Sequence, residues 1–177
     1  GEAIGGSQLV RFTAAGDRLW VKSLSGYADR LAVDSGGNAL IASNPLAISI
    51  SKFDSGGDLL WEHSPEVASD SVRCWGLAVD ARGNAYAAGY FGDRFVEGTR
   101  LPGTVSFGAD TVSTIARFDV FVAKYDASGR PLWLTQTVGL DPNAGYPSRF
   151  SDTRVNALAV DPRGGHGKAD QPAAMGG

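Results

Sequence analysis

"LAVDSGGNAL" (31–40), "LAVDARGNAY" (77–86) and "LAVDPRGG" (158–165) are three writings of one phrase. Self-similarity of this kind marks a repeat architecture. A second phrase interleaves with the first: "KFDSGGDLLW" (52–61), "KYDASGRPLW" (124–133) and the looser "RFTAAGDRLW" (11–20). Both phrases share one turn, Asp or Thr, two residues, then Gly. Gly16, Gly37, Gly57, Gly83, Gly129 and Gly164 hold its fourth place. That is the pattern of a hairpin whose type I turn is followed by a left-handed residue. The opening Asp can bond its own backbone two residues on, and Gly takes positive φ without steric cost. Pro162 falls at the second place, where its fixed φ suits the turn.

The flanks read as strands. In "FVAKYD" (121–126), Phe121, Ala123 and Tyr125 share one face, and Val122 and Lys124 the other. "ISISKF" (48–53) is rich in β-branched residues. Pro131 opens the strand of Leu132 and Trp133, which places the Leu-Trp strands outermost in their sheets. We call the Leu-Ala-Val-Asp hairpin type A and the Leu-Trp hairpin type B. The chain then reads B (9–22), A (29–42), B (48–63), A (74–89), B (120–135) and an incomplete A (155–165).

Each A hairpin with the B that follows predicts a four-stranded antiparallel sheet, the size of a propeller blade. The expected fold is all-β, a segment of a β-propeller with three blades. Residues 29–63 and 74–135 form two, and residues 7–22 with 155–165 form a split third. The domain spans residues 1–165, and residues 166–177 read as a disordered tail with almost no large apolar side chain. The 90–119 connection holds "GTVSFGADTVS" (103–113), which reads as a short strand or an excursion at the rim. Propellers typically have about four to eight blades. Three therefore read as a fragment, or as chains that complete each other by self-association through exposed blade faces.

"DVFVAKYDASGRPLW" (119–133), "LAVDARGNAYAAGYF" (77–91) and "LAVDPRGG" together resemble the bacterial β-propeller repeat family written SBBP. The resemblance covers most of residues 7–165. It departs at "NALIASNP", which lacks the Gly ending "NAYAAG", and at the final "HGKADQPAAMGG". The resemblance implies an exported protein, extracellular, on the cell surface or in the periplasm, with no assigned catalytic residue. The chain opens on Gly1 with no signal segment, so it reads as processed or as a piece of a longer chain.

Composition excludes several classes. Charged residues are 20% and the hydrophobic set 43%, a globular balance. A net charge of −3 without a Lys/Arg cluster argues against nucleic acid. No apolar run is long enough for a membrane span. The single Cys74 permits no intrachain disulfide and reads as a small buried thiol. His63 and His166 stand in no catalytic spacing. No enzyme activity, cofactor or metal is expected.

Trp20, Trp61 and Trp133 recur at one repeat position and read as blade packing. Arg11, Lys52 and Lys124 share one register and read as solvent-seeking side chains on an outward face. The paired Asp54 and Asp58 read as turn chemistry, since a calcium loop needs more carboxylates. Asp93, Glu97 and Asp110 offer a weaker metal reading. For a ligand, the candidates are Trp75 with Tyr90, Asp93, Arg94 and Arg100 of the long connection. The expected function is a non-catalytic scaffold that binds a protein or cell-surface ligand. Two rivals remain: a redox or enzymatic propeller of the PQQ-binding kind, suggested by "DSGGDLLW" (54–61), and a carbohydrate-binding module built on Trp75.

Overall fold

A computed structural model describes residues 6–24, 26–43, 48–115, 117–137 and 158–160. Gly164, most of the incomplete A hairpin (155–165) and the 166–177 tail lie outside the described residues.

The five turn glycines that are described, Gly16, Gly37, Gly57, Gly83 and Gly129, all have φ between 77° and 92°. Each amide donates to the carbonyl of the residue three places before it, at 2.9–3.0 Å. The opening carboxylate does more than expected. Asp34 Oδ1 accepts from the amides of Gly36 and Asn38, and Asp54, Asp80 and Asp126 repeat that pair of bonds. Thr13 Oγ1 keeps one bond, from the Asp17 amide. The turn is thus closed locally, by atoms within five residues of one another.

These turns fold the chain into antiparallel strands, with no helix among the described residues. A two-stranded hairpin comes first, β1 (Gln8–Phe12) with β2 (Arg18–Ser23). The first four-stranded sheet follows in sequence order: β3 (Ala28–Val33), β4 (Ala39–Ser43), β5 (Ser49–Phe53) and β6 (Leu59–His63). The second holds β8 (Val72–Val79), β9 (Ala85–Gly92), β14 (Phe118–Tyr125) and β15 (Pro131–Thr137) in that spatial order. Both Leu-Trp strands, β6 and β15, are edges, as Pro131 requires.

The long connection is more structured than its sequence indicates. It carries a small hairpin, β10 (Arg94–Val96) with β11 (Thr99–Leu101). It also carries β12 (Thr104–Phe107) and β13 (Asp110–Ser113), which join β7 (Glu66–Ala68) in a three-stranded sheet.

Strand β4 shows how the layers stack. All five of its residues are buried. Leu40 and Ala42 enter the main core with Ala85, Ala87, Phe121, Ala123 and Tyr125 of the second sheet. Ala39 and Ile41 point the other way, into a smaller core with Leu9, Trp20 and Phe53. Alternation along a strand sends successive side chains to opposite faces. The β1–β2 hairpin, the first sheet and the second sheet therefore pack in series. The three-stranded sheet adds Val105 and Phe107 to the main core.

Candidate functional site

The stacking is achieved by one joint, used twice. Arg11 and Trp20 are register partners on β1 and β2, as Lys52 and Trp61 are on β5 and β6. Trp20 Nε1 donates to the Ser55 carbonyl at 3.1 Å, and Trp61 Nε1 to the Ala127 carbonyl at 3.1 Å. Ser55 and Ala127 occupy the same place in successive B turns. The basic partner reaches the A turn of the same neighbouring sheet: Arg11 to the Gly37 carbonyl at 3.5 Å, and Lys52 to the Gly83 carbonyl at 3.3 Å. Each indole also lies on the turn glycine of its neighbour. A Cβ on Gly57 would fall 3.2 Å from the Trp20 ring, and one on Gly129 2.4 Å from that of Trp61. Trp20 and Trp61 are packing residues that each also donate one hydrogen bond, whereas Trp133, expected to pack in the same way, is 39% exposed.

Lys52 corrects an expectation. It does not seek solvent: only 3% of it is exposed. Its ammonium lies 2.9 Å from Asp34 Oδ2, and both side chains are buried. Burial alone would push the Asp34 carboxyl up; hydrogen bonds from Lys52 and Asn38 outweigh it and hold the carboxyl below its ordinary value. In the second sheet Asp80 is served by Asn84, the Arg82 amide and the Tyr86 hydroxyl, which outweigh the same burial cost.

The ligand candidates divide into two places. Asp93 and Arg100 meet at the base of the β10–β11 hairpin, where Arg94 opens β10 opposite Leu101. Arg100 Nε donates to Asp93 Oδ2, and the Thr114 hydroxyl donates to Asp93 Oδ1 at 2.5 Å. The Phe95 amide donates to Asp70 Oδ2 at 2.7 Å. These bonds consume the carboxylate and lock the hairpin to the sheet. The hairpin turns on Glu97 (φ 50°) and Gly98 (φ 79°), the two positive-φ residues of a tight two-residue connection. Its strands present Phe95, 60% exposed, and Val96, 43% exposed. Sequence reasoning missed both, because an isolated exposed apolar residue carries no motif.

Tyr90, on β9, meets Phe118 edge-on at 5.8 Å. Trp75 sits elsewhere, at a bulge in β8 and against the first sheet. Arg30 Nε donates to the Trp75 carbonyl at 2.6 Å, and its guanidinium lies 5.2 Å over the indole. One ring face is therefore taken by the protein's own cation.

Cys74 and His63 are both packed among other side chains. Cys74 is buried, and burial pushes its thiol up to about 12. His63 stacks on Phe107 and meets the Tyr125 ring edge-on, with Tyr125 Oη 3.3 Å from its Nδ1. No group of three His, Cys, Asp or Glu side chains able to hold a metal occurs among the described residues. Glu97 stands at the far turn of the β10–β11 hairpin, Asp110 lies in the β12–β13 hairpin, and Asp93 is already bonded by Arg100 and Thr114. No helix among the described residues is long and apolar enough to cross a membrane. Neither a protein-family model nor a curated protein matches the chain.

Proposed function

We propose that the chain is a non-catalytic, repeat-built segment of a β-propeller from an exported or surface-located bacterial protein, and that it presents its rim to a protein partner. The observation that carries this reading is the repeated joint. Trp61 on the turn of Ala127 and Gly129 reproduces Trp20 on the turn of Ser55 and Gly57. A unit that docks its neighbour through the same atoms each time is an element of an extendable scaffold. The turn carboxylates, which a ligand or metal would otherwise use, are spent on the turns themselves.

The rim element best placed for a partner is the β10–β11 hairpin. Exposed Phe95 and Val96 stand on a hairpin fixed by Asp93, Arg100 and Asp70. Aromatic anchors on a rigid support lose little entropy on binding. The test is binding of the intact chain to washed bacterial envelopes, with Phe95→Ser/Val96→Ser as the variant. The expected result is saturable binding that weakens about tenfold or more in the variant at an unchanged thermal midpoint. Binding indifferent to both changes, or quinone-dependent turnover by the chain, would overturn the reading.

A further inference from the structure

The joint has a donor half and a receiving half, and among the described residues each occurs once more without its complement. The donor half is Trp133, on β15. It pairs in register with Lys124, as Trp61 does with Lys52. Yet Trp133 is 39% exposed, and its described ring contact is Tyr86 of its own sheet, edge-on at 6.2 Å. Among the described residues its indole N–H finds no acceptor. Lys124 turns back over the same Tyr86 ring, 4.9 Å from its centroid.

The receiving half is the outer side of the β1–β2 hairpin. Its turn, Thr13 to Asp17, has the same backbone hydrogen bonds as the turns at Asp54 and Asp126. A Cβ on Gly16 would meet nothing within 4 Å, where Gly57 and Gly129 each carry an indole. Beside that turn stands Phe12, the register counterpart of Tyr125: each lies just past the strand bulge that precedes its turn. Tyr125 is fully buried and stacks on Trp61 with ring centroids 5.8 Å apart. Phe12 is 57% exposed, and its neighbour Val21 is exposed as well.

We infer that the Trp133 face of one copy docks on the Phe12–Gly16 face of a second copy, with the Trp133 indole over Gly16 and Phe12 and its N–H bonded to the Ala14 carbonyl. The occupant follows from the two internal joints, which show what each half accepts. The contact is head-to-tail, so it closes into a ring or grows as a filament. It rests on the repeat reading of the fold but not on the partner-binding role of the 94–101 hairpin.

The test is sedimentation of the intact chain over a wide range of concentrations. The wild type should grow in mass with concentration. Trp133→Ala, Phe12→Lys and Gly16→Asn should each weaken association about tenfold or more, as loss of a central aromatic anchor does. Asn tolerates left-handed geometry, so Gly16→Asn blocks the indole without breaking the turn. Trp133→Ala keeps an intact receiving end and Gly16→Asn an intact donor end. Mixed together, they should form a one-to-one dimer that grows no further. A wild type that stays monomeric throughout, including one closed upon itself, overturns the proposal. So does association that survives all three changes, or a mixture that fails to pair. If Trp133→Ala loses its thermal transition, the Phe12→Lys and Gly16→Asn pair, both on exposed sites, decides alone. Phe95→Ser/Val96→Ser should associate like wild type, which separates this test from that of partner binding.

Discussion

The Trp61 indole rests so closely on Gly129 that a Cβ there would fall 2.4 Å from the ring. Gly129 therefore answers two demands: a φ of 88° and a bare backbone under an aromatic plate. Gly129→Ala should cost about 2–4 kcal/mol, more than backbone strain alone, because the indole must also move. Gly16 has a similar φ of 92° but nothing above it. Gly16→Ala should cost no more than about 1–2 kcal/mol. Urea denaturation of the two variants checks the difference. Equal costs would mean that the indole contact adds nothing.

Lys52 and Asp34 are a buried pair, and a buried pair is asymmetric to dissect. Lys52→Met leaves Asp34 charged and buried, and should cost about 3–5 kcal/mol. Adding Asp34→Asn removes the stranded charge. The Asn oxygen still accepts from the Gly36 and Asn38 amides, as Asp34 Oδ1 does. The double variant should therefore recover more than about half of the loss. A double variant less stable than Lys52→Met would show that the carboxylate matters for the turn rather than for the pair.

How much of this was legible in the residues depends on the range of each interaction. The turns were, because Asp34, Gly36, Gly37 and Asn38 make their bonds within five residues. The sheets followed, because Phe121, Ala123 and Tyr125 alternate with Val122 and Lys124 and bury as that alternation requires. The burial of Lys52 was not legible. A lysine in a strand reads as solvated until Asp34 and the Gly83 carbonyl arrive from two other turns. The three-stranded sheet was equally hidden, since Glu66–Ala68 pairs with Thr104–Ser106 across a long stretch of chain and no local pattern encodes it. Of the ligand candidates, Asp93 and Arg100 are neighbours in the long connection and bond each other, whereas Trp75 lies apart from them, against Arg30. The equivalence of Trp20 and Trp61 was visible, but their shared acceptor was not, because a backbone carbonyl leaves no mark in the sequence.

His63 should make the fold sensitive to mild acid. Burial lowers its pKa, so the folded protein keeps the ring neutral while the unfolded chain takes up a proton near pH 6.5. Stability from this residue is then complete above about pH 6.5 and falls as the pH drops toward the folded value. Asp34, Asp80 and Asp126 do not blur that window, since each is held below the ordinary carboxylate range. His63→Gln still offers Tyr125 an acceptor and does not titrate. The thermal midpoint of the wild type should fall between about pH 7 and pH 5, and that of the variant should stay level. Parallel curves for the two proteins would assign the acid sensitivity elsewhere.

Cys74 provides a probe of the main core from within. Its Sγ is buried, 3.4 Å from the Gly76 carbonyl, among residues of both four-stranded sheets. With the thiol pushed up to about 12, almost no thiolate exists at neutral pH, and the thiolate is the species that reacts. A nucleophilic or redox role needs the opposite environment, a lowered pKa and access to solvent. Labelling by a thiol-specific disulfide reagent should therefore proceed only through opening of the core. Its rate in native buffer should be orders of magnitude below that in urea, and should rise with urea in step with the unfolded fraction. Trp61→Ala, which loosens the joint on one side of that core, should speed labelling in native buffer. Immediate reaction of the folded wild type would mean that β8 and β9 do not close over Cys74, and the packing of the second sheet against the first would have to be redrawn.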